Sequence, residues 1–181
     1  MQLSVNKKPE LQLINKFKYI LEENDFIDCK QDKNFGSNSG IFADIEFLST
    51  EGEYFVIEAK SHHSKDAYNS YHKLFGELLK ETGKNKSIRD GYGKNLSLAI
   101  LIPTDACDYE GVTSESGISF YRRQFKNIPL ANYVGFGELV SVKYVFACSE
   151  EVNKIQMYTW SGFYKNEAPV RVWSLYKEKI D

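Results

Sequence analysis

The chain has 181 residues, of which 42% are hydrophobic and 27% are charged, values ordinary for one globular domain with its own core. The net charge of −2 argues against a protein that holds nucleic acid by bulk electrostatics, although basic residues can still cluster locally. The three cysteines are far apart and have neither disulfide nor metal-site spacing, which suits a reducing cytoplasm.

The chain shows no segment that would direct it to a membrane. Its first residues lack an apolar signal sequence, and its longest apolar run, residues 96–103, is too short to span a bilayer. No repeat, low-complexity tract or linker divides it. We therefore predict a cytoplasmic protein with one domain over residues 1–181 and a core over about 9–148.

The first half of the chain alternates helical and strand patterns. Pro9 suits the first turn of a helix, and the apolar residues that follow have helical spacing. A polar, glycine-bearing loop is predicted over 33–40. The predicted elements are a helix (9–24), three strands (26–31, 41–49 and 54–61) and a second helix (66–82) that turns Ala67, Tyr71, Leu74, Phe75, Leu78 and Leu79 inward.

The second half opens with an uninterrupted apolar run, which is typical of a buried central strand. The predicted elements are that strand (96–102), a helix (119–126), two strands (133–140 and 143–148) and an edge strand near Arg171. This order predicts an α/β fold in which helices flank a mixed sheet.

Two carboxylates and an amine are predicted to converge on the hairpin of residues 41–61. A three-residue loop ending at Gly52, in the left-handed conformation that glycine favours, places Ser49 opposite Glu53. In that register Asp44 lies directly opposite Glu58. Lys60 shares their face, because strand side chains alternate.

Close carboxylates repel each other, and a hard divalent cation with oxygen ligands relieves that repulsion. The pattern therefore predicts a Mg²⁺ site, at which Lys60 orients or helps to deprotonate a water molecule and offsets charge on a phosphate. The alternative is an exposed cross-strand cluster without chemistry. Val56 and Ile57, which precede Glu58, indicate a buried strand and favour the metal site.

Residues 9–103, with Ala43-Asp44 and Glu58-Ala59-Lys60 on neighbouring strands, resemble the PD-(D/E)XK nuclease superfamily. Ala43 stands where the name-giving pattern has proline, a variable position in that class. The resemblance implies a restriction-endonuclease-like fold with an αβββαβ core. It also implies that Asp44, Glu58 and the Ala59 carbonyl bind Mg²⁺, with Mn²⁺ as a substitute, and that Lys60 is the catalytic lysine.

The implied activity is hydrolysis of DNA phosphodiester bonds, leaving 5′-phosphates, by a restriction or defence enzyme. A homodimer is expected, because cutting both strands with one site per subunit needs two copies. One alternative is a catalytically silent nuclease fold that serves as a nucleic-acid- or protein-binding subunit. Another is a nuclease that acts on branched DNA or RNA.

Two further acids are candidates because superfamily members often add polar residues from the flanking helices. Glu10 continues the inward stripe of the first helix, although an acid there also complements the helix dipole. Glu77, with Lys73, lies on the less apolar side of the second helix, where a surface ion pair is the alternative.

Other polar groups are assigned structural roles first. His62, His63 and His72 fit no zinc spacing, and His62 is expected at the rim of the site. The basic residues divide into two local clusters, either of which is also compatible with a solvated helix face: Lys80, Lys84, Lys86, Arg89 and Lys94, and then Arg122, Arg123 and Lys126.

Overall fold

The computed structural model describes residues 9–30, 42–63, 67–106 and 115–175. The described strands form one sheet in chain order, with β3, β4 and β5 parallel and the other neighbours antiparallel. The strands are β1 (Ile27–Asp28), β2 (Ile45–Leu48), β3 (Tyr54–Ala59), β4 (Leu96–Pro103), β5 (Val142–Ser149), β6 (Lys154–Thr159) and β7 (Arg171–Ser174). The helices are α1 (Pro9–Glu22), α2 (Ala67–Glu81), α3 (Lys86–Arg89), α4 (Gly117–Phe125), α5 (Leu130–Val140) and α6 (Trp160–Tyr164), with a 3-10 helix at Asp90–Asn95.

The sheet separates two hydrophobic cores. All six residues of β3 are buried, and successive side chains enter opposite cores. Val56 packs in the core covered by α2, α4, α5 and α6, whereas Phe55 and Ile57 pack in the core covered by α1. Because Glu58 and Lys60 have the parity of Val56, the strand pattern directs them to the α2 side.

Helix α1 lies across most strands of the sheet. This helix packs against β1 and against every strand from β3 to β7. Its buried residues Leu13 and Phe17 lie in the same core as Phe26, which follows α1, and the Phe26 ring meets the ring of Trp173 on β7 at 5.6 Å. Part of the surface of α1 is therefore buried by β7, the last described strand.

The predicted α/β fold class is confirmed, and the order from α1 to β4 is αβββαβ with α3 and the 3-10 helix inserted before β4. The predicted strand 26–31 is reduced to Ile27–Asp28, and the hairpin strands are shorter than predicted. The predicted edge strand near Arg171 is β7. The loop 33–40 lies outside the described residues.

The predicted strand 133–140 is wrong, because this segment belongs to α5. The buried residues of this segment are Tyr133, Gly137 and Val140, which have helical spacing. The Tyr133 ring stacks on Trp160 at 4.2 Å. Trp160 lies on α6, a helix that was not predicted from the sequence.

Two other expectations also differ from the structure. The strand β6 was not predicted, although Ile155, Met157 and Tyr158 are buried on it. Leu79 was expected to face inward but is 53% exposed, and Glu81 is the buried residue at that end of α2. The apolar face of α2 therefore ends at Leu78, and the buried residue that follows it on the helix is the charged Glu81.

Candidate functional site

The β2–β3 hairpin has the predicted register. Gly52 adopts φ of +80°, and the Ser49 amide donates to the Glu53 carbonyl at 2.9 Å. Ile45 then pairs with Ile57, which places Asp44 opposite Glu58 one step further on. The strand pairing ends at Ile45, and Asp44 continues the chain beside the end of β3, where its carboxyl is within hydrogen-bonding reach of Glu58.

Asp44 is fixed to the end of β3 by a backbone contact. Its Oδ2 accepts a hydrogen bond from the Ala59 amide at 2.9 Å. The next amide, that of Lys60, donates in the opposite direction to Leu101 on β4, also at 2.9 Å. Because the C=O and N–H of a trans peptide point in opposite directions, the Ala59 carbonyl points to the side on which Asp44 lies.

Glu58 is the buried member of the carboxylate pair, with 7% of its surface exposed. Burial, followed by the charges of Asp44 and Glu81 and hydrogen bonds with both, raises the pKa of Glu58 to about 9. Without a cation, Glu58 therefore keeps its proton at neutral pH. Two acids held this close meet the electrostatic condition for a site that a divalent cation completes.

Helix α2 brings two acids into register with β3. Glu77 Oε2 lies 2.7 Å from Lys60 Nζ, and the carboxyl of Glu81 is within hydrogen-bonding reach of Glu58. Four residues along a helix span about 6 Å, and two residues along a strand span roughly 6.6 Å. Glu77 and Glu81, four residues apart on α2, are therefore spaced to meet Lys60 and Glu58, which are two residues apart on the oppositely directed chain.

Lys60 is held by acids from both flanking helices. Burial lowers its pKa, but the hydrogen bond with Glu77 and the charges of Glu10, Glu77 and Asp44 outweigh burial, so the pKa of Lys60 is raised. Glu10 Oε2 lies 4.0 Å from the same ammonium. Burial raises the pKa of Glu10 and outweighs two opposing effects. These are the charge of Lys60 and a hydrogen bond from the Ser61 amide to the Glu10 carboxylate. The ammonium consequently stays charged at neutral pH.

The two helix acids both lie beside Lys60, as the sequence analysis allowed. Among the described residues Glu77 pairs with Lys60 and not with Lys73, which is exposed, so Lys73 is not brought into the site. The sequence analysis missed Lys30, whose ammonium donates to the Asp44 carbonyl at 3.1 Å.

A buried ion network beneath the site was also missed. Arg89 Nη2 donates to Glu46 Oε1 at 2.5 Å and to Glu81 Oε2 at 2.9 Å, and all three side chains are buried. The same Glu46 oxygen accepts from the Ala43 amide at 3.0 Å, and its partner oxygen accepts from the Tyr54 hydroxyl at 2.5 Å. The basic residues near Arg89 in the sequence suggested that it belongs to an exposed cluster. Arg89 is instead buried in this ion network.

The remaining candidates have structural partners. His62 is 1% exposed, stacks on Phe120, and makes a 2.6 Å contact from Nε2 to the Glu115 carbonyl. Arg123 forms an ion pair with Glu115 at 2.6 Å. Arg122 lies over the ring of Phe163 and donates to the carbonyl of the same residue. These groups belong to the packing of α4.

The donor set fits a hard divalent cation with few protein ligands. Asp44, Glu58 and the Ala59 carbonyl supply oxygens from one end of the hairpin. In the described part of the chain no group of three or more His, Cys, Asp and Glu side chains is arranged to hold a metal. Mg²⁺ is commonly bound through one or two carboxylates and completed by water and substrate oxygens.

Comparison with known proteins adds one distant structural likeness. No protein-family model matches the chain, and no curated protein matches it. The fold is similar to the crystal structure of an XisH family protein from Nostoc punctiforme PCC 73102, with a TM-score of 0.46 and 15% sequence identity over 78% of this chain and 93% of that chain.

Within the described ranges, no helix combines the length and the apolar character that crossing a membrane requires.

Proposed function

We propose that the chain is a Mg²⁺-dependent endonuclease that hydrolyses phosphodiester bonds in DNA. The observation that carries this proposal is the proximity of the Asp44 and Glu58 carboxyls at the end of β3, with the Lys60 ammonium within reach of the Asp44 charge. Paired carboxylates beside a fixed cation suit phosphoryl chemistry, in which a metal and an amine share the negative charge.

Asp44, Glu58 and the Ala59 carbonyl are the groups that would hold Mg²⁺. When bound, the ion lowers the pKa of water and offsets negative charge on the phosphate. The Ala59 amide fixes the Asp44 carboxylate, and burial restricts Glu58, so both ligands are positioned before the cation arrives. Positioned ligands need little rearrangement to bind a metal.

Lys60 acts as a fixed positive charge. The ion pair with Glu77 and the charge of Glu10 keep its ammonium protonated, which favours charge stabilisation over proton abstraction from water. A phosphate gains negative charge as the nucleophile attacks, and a preorganised cation stabilises that charge. Glu77 and Glu10 orient the ammonium and contact the reacting atoms only through it.

The proposed substrate is duplex DNA, and the proposed role is restriction or defence. One site per chain cleaves one strand, so a homodimer would cut both. These finer assignments follow from the resemblance of Asp44 and Glu58-Ala59-Lys60 to the PD-(D/E)XK pattern.

The test is plasmid cleavage with Mg²⁺ or Mn²⁺, performed with the wild-type chain, Asp44→Asn, Lys60→Ala and the control Lys165→Ala. Lys165 is an exposed lysine at the end of α6. We expect the first two variants to lose at least about 100-fold in rate and the control to match wild type. Equal cleavage by all four proteins would show that the activity arises elsewhere.

A second measurement separates the enzyme from a silent binding subunit. Calorimetric titration with Mn²⁺ should give binding that Asp44→Asn abolishes, whereas a silent fold should give none. Duplex, four-way junction and single-stranded RNA substrates should then be compared. Preference for the junction or the RNA would replace the duplex substrate while leaving the assignment of the site intact.

A further inference from the structure

Arg89 connects the two acidic ligands of the proposed site, although it touches neither. It lies on α3, after the end of α2, and 3% of its surface is exposed. Its Nη2 donates to Glu46 at 2.5 Å and to Glu81 at 2.9 Å, and its Nη1 donates to the Glu81 carbonyl at 2.7 Å. A single guanidinium thus joins β2 to the C-terminal end of α2.

One branch of this network reaches Asp44. Glu46 uses the same carboxylate oxygen to accept from Arg89 and from the Ala43 amide, the latter at 3.0 Å. Ala43 is the residue before Asp44, so this bond fixes the backbone that carries the Asp44 side chain. The Tyr54 hydroxyl holds the second oxygen of Glu46, and the carboxylate cannot rotate without losing a buried partner.

The other branch reaches Glu58. The Glu81 carboxyl is within hydrogen-bonding reach of Glu58, and its Oε2 is held by Arg89 and its Oε1 by Lys84. When Glu58 is ionised, as a metal ligand is, its charge repels that of Glu81 unless a cation compensates them. Arg89 supplies that charge from within the protein through its ion pair with Glu81.

We propose that Arg89 is a positioning residue that sets the Asp44–Glu58 spacing through Glu46 and Glu81 and so determines the affinity of the site for a divalent cation. The inference rests on the proposed function, since it concerns ligands of the proposed metal. Lysine cannot replace Arg89, because one ammonium cannot reproduce the planar fork that bonds two carboxylates and a helix carbonyl.

The experiment measures Mn²⁺ affinity by calorimetry in wild type, Arg89→Lys, Glu81→Gln and Arg171→Lys. Arg171 is the matched control, because it forms an exposed ion pair with Glu51 at the other end of the hairpin. Groups that orient metal ligands typically contribute 10–100-fold in affinity, so we expect a loss of about that size in the first two variants and none in the control. Near-UV circular dichroism identifies which variants keep the native packing.

Native-like Arg89→Lys or Glu81→Gln protein that binds Mn²⁺ as tightly as wild type would overturn the positioning role and leave the proposed function standing. Wild-type protein that binds no divalent cation would overturn the proposed function and this inference together. If Arg89→Lys does not fold, Glu81→Gln and Glu46→Gln decide the question, because each removes one branch and leaves the guanidinium in place.

Discussion

Lys60 Nζ and Glu77 Oε2 form an ion pair at 2.7 Å between the end of β3 and the middle of α2. The pair joins Lys60, from the Glu58-Ala59-Lys60 motif, to Glu77, for which the sequence also allowed a surface ion pair with Lys73. It also explains why a lysine that is mostly buried remains charged, since burial alone would lower its pKa.

Removing the Glu77 charge should therefore make Lys60 easier to deprotonate. In Glu77→Gln the pKa of Lys60 falls, and any activity that needs the ammonium is lost at a lower pH than in wild type. The measurement is the alkaline limb of the cleavage-rate profile. Lys73→Gln is the control on the same helix, and a limb that stays in place in Glu77→Gln would contradict the role given to this pair.

The Glu58 carboxyl should make the metal-free protein less stable as the pH rises. Its pKa is raised from 4.5 to about 9 on folding, so between these values the folded chain keeps a proton that the unfolded chain releases. The free energy of unfolding then falls with pH, by up to about 1.4 kcal/mol per pH unit for one proton. Urea unfolding in a chelator, repeated across this range, measures the slope.

Glu58→Gln is the control for that slope, because the amide does not titrate. Its stability should depend less steeply on pH than that of wild type over the same range. Identical slopes in the two proteins would mean that another group carries the linkage.

Gly52 should be needed for the hairpin register. Its φ of +80° is one that side chains rarely adopt, so Gly52→Ala should cost about 1–2 kcal/mol, and Gly52→Asn should cost less. Gly76→Ala on α2 is the control, since a Cβ there meets nothing within 4 Å. Equilibrium denaturation measures all three, and unchanged stability in Gly52→Ala would show that the turn tolerates a side chain.

Gly137 should be required for the contact between α5 and α6. A Cβ at this position would lie 2.4 Å from Cδ1 of Trp160, so Gly137→Ala should destabilise the fold by about 1–3 kcal/mol. Gly135→Ala, on the same helix in open space, should instead stabilise it by roughly 0.5–1 kcal/mol. Thermal unfolding compares them, and equal effects would contradict the packing described.

The hairpin could be predicted because its determinants are local. Gly52 fixes the turn, strand alternation fixes the faces, and together they place Asp44 opposite Glu58. The acids of α2 were partly predictable. Glu81 lies four residues after Glu77, but a charged residue at the end of an amphipathic helix is usually solvated.

The Arg89 network could not be predicted in this way. Its partner Glu46 is 43 residues away in the chain, and both look like ordinary surface charges in sequence. The prediction of a strand over residues 133–140, which form α5, was wrong for a related reason. Its glycines and alternating apolar residues favour no single periodicity, and the ring contact with Trp160 on α6 belongs to another part of the chain.

The packing of α1 has a consequence for the order in which the protein acquires its structure. A ribosome delivers α1 before the strands of the sheet, yet the helix is covered by strands up to β7. Until those strands emerge, the apolar face with Leu13 and Phe17 lacks much of its native cover. The core around α1 can therefore close only after β7 has formed, so it cannot fold strictly in the order in which its elements follow along the chain.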